Sequence, residues 1–116
     1  MLSRSGQQMR ASHLLVKHKG SRRPSSWKEQ TITRSKNDAI AKLNEFRQRI
    51  VSGEDFAKLA VEHSDCGSHS SGGDLGWFGP GQMQQAFEDG VKALKVGEMS
   101  GVIDTDSGVH IILRTG

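Results

Sequence analysis

A cluster of basic residues follows the first apolar stretch of the chain. The cluster occupies seven positions and consists of Lys17, His18, Lys19, Arg22 and Arg23. Two adjacent arginines with a lysine nearby can hold a phosphate group of about −2 charge through several charge-assisted hydrogen bonds. Pro24 follows directly and stiffens the segment, which lowers the entropy lost when a ligand binds. The alternative is a charged surface that contacts only solvent, and a charge run alone does not decide between the two.

The single cysteine, Cys66, lies in a polar stretch that reads SDCGSHSSGG. A cysteine with histidines nearby can act as a nucleophile, whereas many free cysteines are simply packed in a core. The neighbours Asp65 and Gly67 favour a loop rather than a packed position. A cysteine phosphatase would place an arginine at the sixth position after the cysteine, and Gly72 stands there. That class is excluded, and Cys66 remains a candidate site residue.

Five histidines are enough to raise the question of a metal site. His13 and His18 are five positions apart in a predicted strand and therefore point to opposite faces. His63 and His69 flank a glycine-rich loop, and the chain has neither HExxH nor CxxC spacing. No metal site is predicted.

Two further stretches resemble ligand-binding motifs only at first sight. In DTDSG the glycine comes at the fifth position, where a calcium loop needs it at the sixth, and Asp106 stands where an aspartic protease needs glycine. The stretch therefore predicts a turn between two antiparallel strands. The glycines of GGDLGWFGPG match neither GxGxxG after a strand nor the GxxxxGK[ST] loop, so no nucleotide site is predicted.

Length and composition restrict the class of protein. A chain of 116 residues is expected to form one domain, and we place it at 9–116 after a short polar tail, 1–8. No apolar run is long enough to span a membrane, and the first residues lack the apolar region of a signal peptide. One cysteine fits a reducing compartment, so a cytoplasmic or nuclear location is expected. A net charge of +3 is too small to imply a nucleic-acid-binding protein.

The hydrophobic pattern predicts helices between an early strand and two late ones. The strands are predicted at 10–18, 75–78, 102–104 and 109–114.

The first helix is expected to begin at Ser35 or Asn37 and to stop at Gly53. Its apolar stripe comprises Ala39, Leu43, Phe46 and Ile50, and the second helix contains Phe56, Leu59, Ala60 and His63. A third helix, from near Gln82 to Gly97, would place Met83, Phe87, Val91 and Leu94 on one side. The last connection is too short for a crossover, so the fold class is α+β with an antiparallel sheet.

Three segments together resemble the parvulins, specifically the Pin-type, phosphorylation-directed peptidyl-prolyl cis/trans isomerases. The segments are ASHLLVKHKGSRRPSSW, FAKLAVEHSDCGSHSSGGDLGWFGPGQM and MSGVIDTDSGVHIILRTG. The middle one matches the parvulin signature, and the basic KHKGSRRPSSW is similar to the Pin type among parvulins. The resemblance covers the chain from about Met9 to its end, and it includes no N-terminal WW module.

The resemblance implies a four-stranded antiparallel sheet surrounded by about four helices, as in the FK506-binding proteins. It also implies roles for individual residues. Lys17, Arg22 and Arg23 would hold the phosphate of a phospho-Ser/Thr-Pro substrate. Leu75, Met83 and Phe87 would form the pocket for the proline ring, with Gln84 near its rim. Cys66, His13, His110 and Ser107 would form the polar floor of the site.

The implied reaction is rotation about the amide that precedes proline. Rotation breaks no bond and needs no cofactor, and we expect a noncovalent mechanism in which Cys66 acts through its dipole or partial charge.

The expected partners are phosphorylated Ser/Thr-Pro proteins, the expected oligomeric state is a monomer, and neither membrane nor nucleic acid is implied. Many members carry Lys or Arg in the loop after Cys66, where this chain has His69 as its one potential cation. Binding without turnover, and isomerisation without phosphate preference, remain the alternatives.

Overall fold

The chain forms a four-stranded sheet with helices on both faces. The computed structural model describes residues 8–116, so the proposed tail lies, apart from Gln8, outside the described residues. The elements in chain order are β1 (Met9–Val16), α1 (Lys36–Val51), α2 (Phe56–His63), a short 3-10 helix (Gly67–Ser71), β2 (Asp74–Phe78), α3 (Gln85–Lys92), β3 (Ile103–Thr105) and β4 (Gly108–Arg114). The strand order is β2-β1-β4-β3, and every neighbouring pair is antiparallel. The α+β class and the antiparallel sheet are therefore confirmed.

Alternate residues of the central strands supply two separate hydrophobic clusters. One cluster joins β1 and β4 to α1 and α2, and it contains Leu14, Val16, Ala39, Leu43, Phe46, Phe56, Leu59, Ala60, Val109 and Ile111. The other packs the opposite face against α3, and it contains Met9, Ala11, Phe78, Phe87, Val91 and Ile112. Because side chains alternate along a strand, the same two strands serve both clusters. The second cluster lies on the face that carries His13 and His110.

Residues 8–116 contain three α-helices rather than about four. The fourth helical segment, Gly67–Ser71, is a single 3-10 stretch that follows Cys66. The start of α1 is set by a local hydrogen bond. The Ser35 hydroxyl accepts from the Asp38 amide at 3.1 Å, so Ser35 rather than Asn37 is the N-cap.

The third helix is shorter than predicted at both ends. It begins at Gln85, because Gln84 is non-helical, with a ψ of 143°, and Gly81 adopts a left-handed φ of 79°. It ends at Lys92 rather than Gly97, since Ala93 caps it and a turn closed by the Glu98 amide and the Lys95 carbonyl follows. Met83 therefore precedes the helix, and the prediction that Met83 and Phe87 share one helix face is wrong.

The turn between β3 and β4 is the one predicted from DTDSG. Thr105 pairs with Gly108, and Gly108 has a φ of 146°. A Cβ at that position would lie 2.8 Å from the Val16 carbonyl oxygen, so glycine is required where this turn meets the end of β1. No helix within residues 8–116 has the length and apolar character needed to cross a membrane.

Candidate active site

Two buried histidines from adjacent strands form the centre of the site. In the β1–β4 register His13 is opposite Ile112 and Leu15 is opposite His110, so the histidines are diagonal neighbours on one face. Their Nδ1 atoms are 2.9 Å apart, and the two rings are inclined by only 24°. The two rings, which the resemblance assigns to the floor of the site, are therefore in direct contact.

Hydroxyl groups extend this pair at both outer nitrogens. The Ser68 hydroxyl lies 3.2 Å from Nε2 of His13, and the Thr105 hydroxyl lies 2.7 Å from Nε2 of His110. We refer to His13, His110, Ser68 and Thr105 as the histidine network. Ser68 and Thr105 were not among the predicted site residues, although Thr105 ends the strand that pairs with the strand of His110.

Burial keeps both histidines neutral at physiological pH. It lowers the pKa of His13 to about 4. The pKa of His110 is lowered to about 3, mainly by burial and in addition by the charge of His13. Neither ring is therefore a ready proton donor at pH 7, and the pair is suited to orient other groups through fixed hydrogen bonds.

An aromatic ring covers the histidine pair from the side of α3. Phe87 stands edge-on to His13 at 5.5 Å and to His110 at 5.3 Å between ring centroids. Leu75 and Met83, both half-buried, pack on the cluster that contains Phe87. The three residues predicted for the proline pocket thus come together, although Met83 reaches the cluster from the loop before α3.

The basic residues line a cleft that includes Ser107, next to the histidine network. Lys17, Arg22, Arg23 and Ser107 enclose about 280 Å³, and we call this the basic cleft. One water takes about 30 Å³ of liquid volume, so the cleft has room for a phosphate group. Within residues 8–116 none of the three cations forms an ion pair with a carboxylate, although Lys17 Nζ donates to the Ser25 carbonyl at 2.9 Å.

Gln84 and Ser107 connect the basic cleft to the histidine network. The Gln84 side-chain amide donates to the Ser107 hydroxyl at 2.8 Å and accepts from the Asp106 amide at 3.2 Å. The Ser107 amide donates to the Thr105 hydroxyl at 3.2 Å, and the Arg22 amide donates to the Asp106 carbonyl at 2.8 Å. The turn after β3 is therefore fixed both to the start of α3 and to the loop 17–35 that carries the three cations, which we call the basic loop.

Cys66 lies in the loop between α2 and β2, directly before the 3-10 helix, and is half-buried. Its amide lies 3.4 Å from the Ser64 hydroxyl, and its carbonyl accepts the His69 amide at 2.9 Å. Among the described residues no hydrogen bond joins its Sγ to either histidine of the network. Nucleophilic catalysis requires a base within hydrogen-bond reach of the thiol, so this arrangement favours a noncovalent role.

His69 does not line the basic cleft. Its ring stacks on Trp27, with centroids 3.8 Å apart and planes inclined by 8°, and its Nδ1 lies 2.9 Å from the Val61 carbonyl oxygen. The Trp27 indole also donates to the Ser64 carbonyl at 2.7 Å. The one potential cation of this loop therefore packs against the basic loop instead of facing Arg22 and Arg23.

A larger groove of about 590 Å³ lies along α1, and none of the predicted site residues lines it. It is lined by Arg34, Asp38, Ala41, Lys42, Glu45, Phe46, Arg49 and His63. Two of its cations are already neutralised, since Arg49 pairs with Glu54 and Arg34 pairs with Glu29. In residues 8–116 no cluster of three or more His, Cys, Asp or Glu side chains is arranged to hold a metal ion.

Comparison with known proteins agrees with this geometry. Residues 13–116 match the protein family described as "Rotamase: PPIC-type PPIASE domain". The chain is 54% identical, over its whole length and that of the relative, to "Peptidyl-prolyl cis-trans isomerase Pin1" of Malus domestica. It is 59% identical to "Putative peptidyl-prolyl cis-trans isomerase dodo" of Drosophila melanogaster, with 88% of this chain aligned to 62% of the fly protein.

Solved structures show the same likeness. The structure titled "Peptidyl-prolyl isomerase ESS1 from Candida albicans" superposes with a TM-score of 0.93 at 49% identity, covering 96% of this chain and 64% of that one. The chain belongs to the PPIC-type peptidyl-prolyl cis-trans isomerases, the parvulin family of rotamases. Its activity is accordingly the isomerisation of the peptide bond that precedes proline.

Proposed function

We propose that this chain isomerises Ser/Thr-Pro bonds selectively when the serine or threonine is phosphorylated. The observation that carries the proposal is the arrangement of the basic cleft: Arg22 and Arg23 have no carboxylate partner in the described chain, and Ser107 joins their cleft to the histidine network. A phosphate next to proline would therefore bind beside the apolar pocket of Leu75, Met83 and Phe87. Phosphorylated Ser/Thr-Pro proteins in the cytoplasm or nucleus are the proposed partners.

The two subsites lower the barrier by holding opposite sides of one bond. Rotation about an amide costs about 18–20 kcal/mol because it interrupts resonance. The apolar pocket fixes the proline ring, and the basic cleft fixes the residue before it, so the carbonyl between them is free to turn. Catalysis requires that the twisted amide bind better than either planar form.

The polar floor stabilises the carbonyl while it is out of plane. The neutral histidines, held by Ser68 and Thr105, keep fixed dipoles beneath the bond, and Cys66 presents its sulfur without a histidine partner among the described residues. Fixed dipoles need no reorganisation during rotation, and this is their advantage over water. No atom is transferred, so neither a covalent intermediate nor a cofactor is part of the proposal.

The test is NMR exchange on three matched peptides that contain Ser-Pro, phospho-Ser-Pro and Glu-Pro. We expect exchange of the phosphopeptide to be at least about tenfold faster than that of Ser-Pro, since each charge-assisted hydrogen bond to the phosphate contributes roughly a factor of ten. Arg22→Ala/Arg23→Ala should remove this preference. The matched control, Lys42→Ala/Lys58→Ala, removes two charges from exposed positions of α1 and α2 and should retain it.

Other outcomes would replace the proposal. Equal catalysis of all three peptides by the wild-type protein would leave an isomerase without phosphate preference. Binding of the phosphopeptide without exchange would leave a recognition module.

A further inference from the structure

The segment that leads into Cys66 is joined to the end of β1 by backbone and side-chain hydrogen bonds. The Asp65 amide donates to the Leu15 carbonyl at 2.8 Å, and the Leu15 amide donates to the Ser64 hydroxyl at 3.0 Å. Two residues after Leu15, the Lys17 amide donates to the Asp65 carboxylate at 2.9 Å. Asp65 therefore takes over the pairing of β1 at the point where the strand ends.

The Asp65 carboxylate is almost completely buried and is surrounded by cations. Its side chain is 1% exposed, with Nη1 of Arg34 at 3.3 Å and Nζ of Lys28 at 3.4 Å. The same Nη1 of Arg34 donates to the Lys17 carbonyl at 2.8 Å. The backbone of Lys17 is thus held from both sides by one ion pair, with its amide on Asp65 and its carbonyl on Arg34.

A buried carboxylate of this kind fixes geometry strongly. It is tolerated only while its partners remain in place, because an uncompensated buried charge is costly. Lys28 and Arg34 also hold the second half of the basic loop in place. Lys28 donates to the carbonyl of His63 at the end of α2 at 2.7 Å, and Arg34 pairs with Glu29. Movement of the loop therefore requires that Asp65 lose at least one of its partners.

We propose that Asp65 is the positioning residue of the phosphate-binding cleft. It acts through Arg34 and the Lys17 backbone, and because Cys66 is the next residue it couples the cleft to the floor of the site. This inference rests on the function proposed above. The role is distinct from catalysis, since in the structure Asp65 contacts the cations of the basic loop and not the site where the prolyl bond would lie.

The first test replaces Asp65 by asparagine and measures KM and kcat with the phospho-Ser-Pro peptide. We expect KM to rise about tenfold, as for the loss of one charge-assisted hydrogen bond, while kcat changes by less than about threefold. Asp38→Asn makes the same chemical change at an exposed position of α1 and should leave KM unchanged. An unchanged KM in Asp65→Asn would overturn the inference.

A double-mutant cycle tests whether Asp65 acts through Lys17. In a Lys17→Ala background, Asp65→Asn should raise KM by less than about twofold, because the residue it positions has already lost its charge. If the increases in KM caused by Lys17→Ala and by Asp65→Asn were fully additive in the double variant, Asp65 would not act through Lys17. Should Asp65→Asn fail to fold, Arg34→Lys keeps the charge but loses the guanidinium fork that reaches both Lys17 and Asp65, and it should raise KM in the same direction.

Hydrogen exchange of the Lys17 amide gives a readout independent of activity. Its protection should fall in Asp65→Asn more than that of the Leu15 amide, which is bonded to the Ser64 hydroxyl. The two proposals fail separately. A wild-type protein without phosphate preference refutes the function, whereas a preference that persists with unchanged KM and Lys17 protection in Asp65→Asn refutes only the role of Asp65.

Discussion

The Nδ1 atoms of His13 and His110 lie 2.9 Å apart in a pair that is neutral at physiological pH. Two neutral rings can share this contact only if one carries its proton on Nδ1 and the other presents a lone pair there. Of the two Nε2 atoms, one is then an acceptor and the other carries a proton. One of the two hydroxyls, of Ser68 or of Thr105, therefore donates to its histidine, and the other accepts from its histidine. The histidine network therefore has a direction, which is set by the two tautomers.

The histidine pair should make the protein less stable in mild acid. The pKa values of about 4 and about 3 lie below the value of about 6.5 for an unfolded histidine. Between these limits the unfolded chain binds more protons than the folded one, so stability falls as pH decreases from about 6.5 toward 4. In this window each buried histidine lowers the free energy of unfolding by up to about 1.4 kcal/mol for each unit that the pH decreases.

Urea unfolding at pH 7 and pH 5 measures this effect, and His110→Gln is the comparison. The variant loses one of the two titrations, so the difference in free energy of unfolding between the two pH values should shrink. An equal difference in the variant and the wild type would assign the acid sensitivity to other groups.

Removing the Thr105 hydroxyl should impair turnover more than substrate binding. Thr105→Val keeps the shape but takes the hydrogen-bond partner from His110 Nε2 and from the Ser107 amide. We expect kcat to fall about tenfold with little change in KM, and the free energy of unfolding to drop by about 1–2 kcal/mol. Thr33→Val, at an exposed position, is the control. A normal kcat in Thr105→Val would show that the orientation of His110 does not matter for rotation.

Periodicity in the sequence was sufficient to locate the strands that carry His13 and His110, whereas the four-stranded sheet was implied by the family resemblance. The alternation in β1 and β4 predicted two strands, which the structure shows to be paired, and the four- and three-residue spacings placed Leu43 and Phe46 on one helix face, which lies in the core. These features depend on local patterns, which is why they can be read from one chain.

The features that the sequence did not predict depend on contacts between distant residues. Met83 and Phe87 are four positions apart, which fits a helix, but the non-helical backbone of Gln84 places the first turn of α3 after Met83. Asp65 and Arg34 are separated by 31 positions, and only the folded chain shows that they hold Lys17 together. Local periodicity contains no information on such tertiary hydrogen bonds.

Loss of the Glu88 carboxylate should weaken the proline pocket for every substrate alike. Glu88, which is 5% exposed, accepts the Gly81 amide at 2.8 Å and pairs with Lys92 at 3.0 Å, and these bonds lower the pKa of the carboxyl. The Gly81 contact holds the loop that carries Met83. Glu88→Ala should therefore raise KM about fivefold for phospho-Ser-Pro and Glu-Pro peptides equally.

The control for Glu88 is Glu62→Gln, which removes one carboxylate from an exposed position of α2. Peptide exchange by NMR measures both variants. A rise in KM confined to the phosphopeptide would contradict a role in the proline pocket, because it would assign Glu88 to the basic cleft.

Two glycines of the GGDLG stretch should respond very differently to alanine. Gly73 has a φ of 86°, and a Cβ there would lie 2.3 Å from the His13 carbonyl oxygen, whereas Gly76 has a φ of 74° with open space around it. Gly76→Ala should cost only the strain of a left-handed alanine, about 1–2 kcal/mol in the free energy of unfolding. Gly73→Ala adds a clash with the backbone that carries His13, so it should cost at least about 2 kcal/mol more and also reduce kcat. Urea unfolding compares the two, and equal losses would mean that the backbone at Gly73 moves away from the His13 carbonyl at no additional cost.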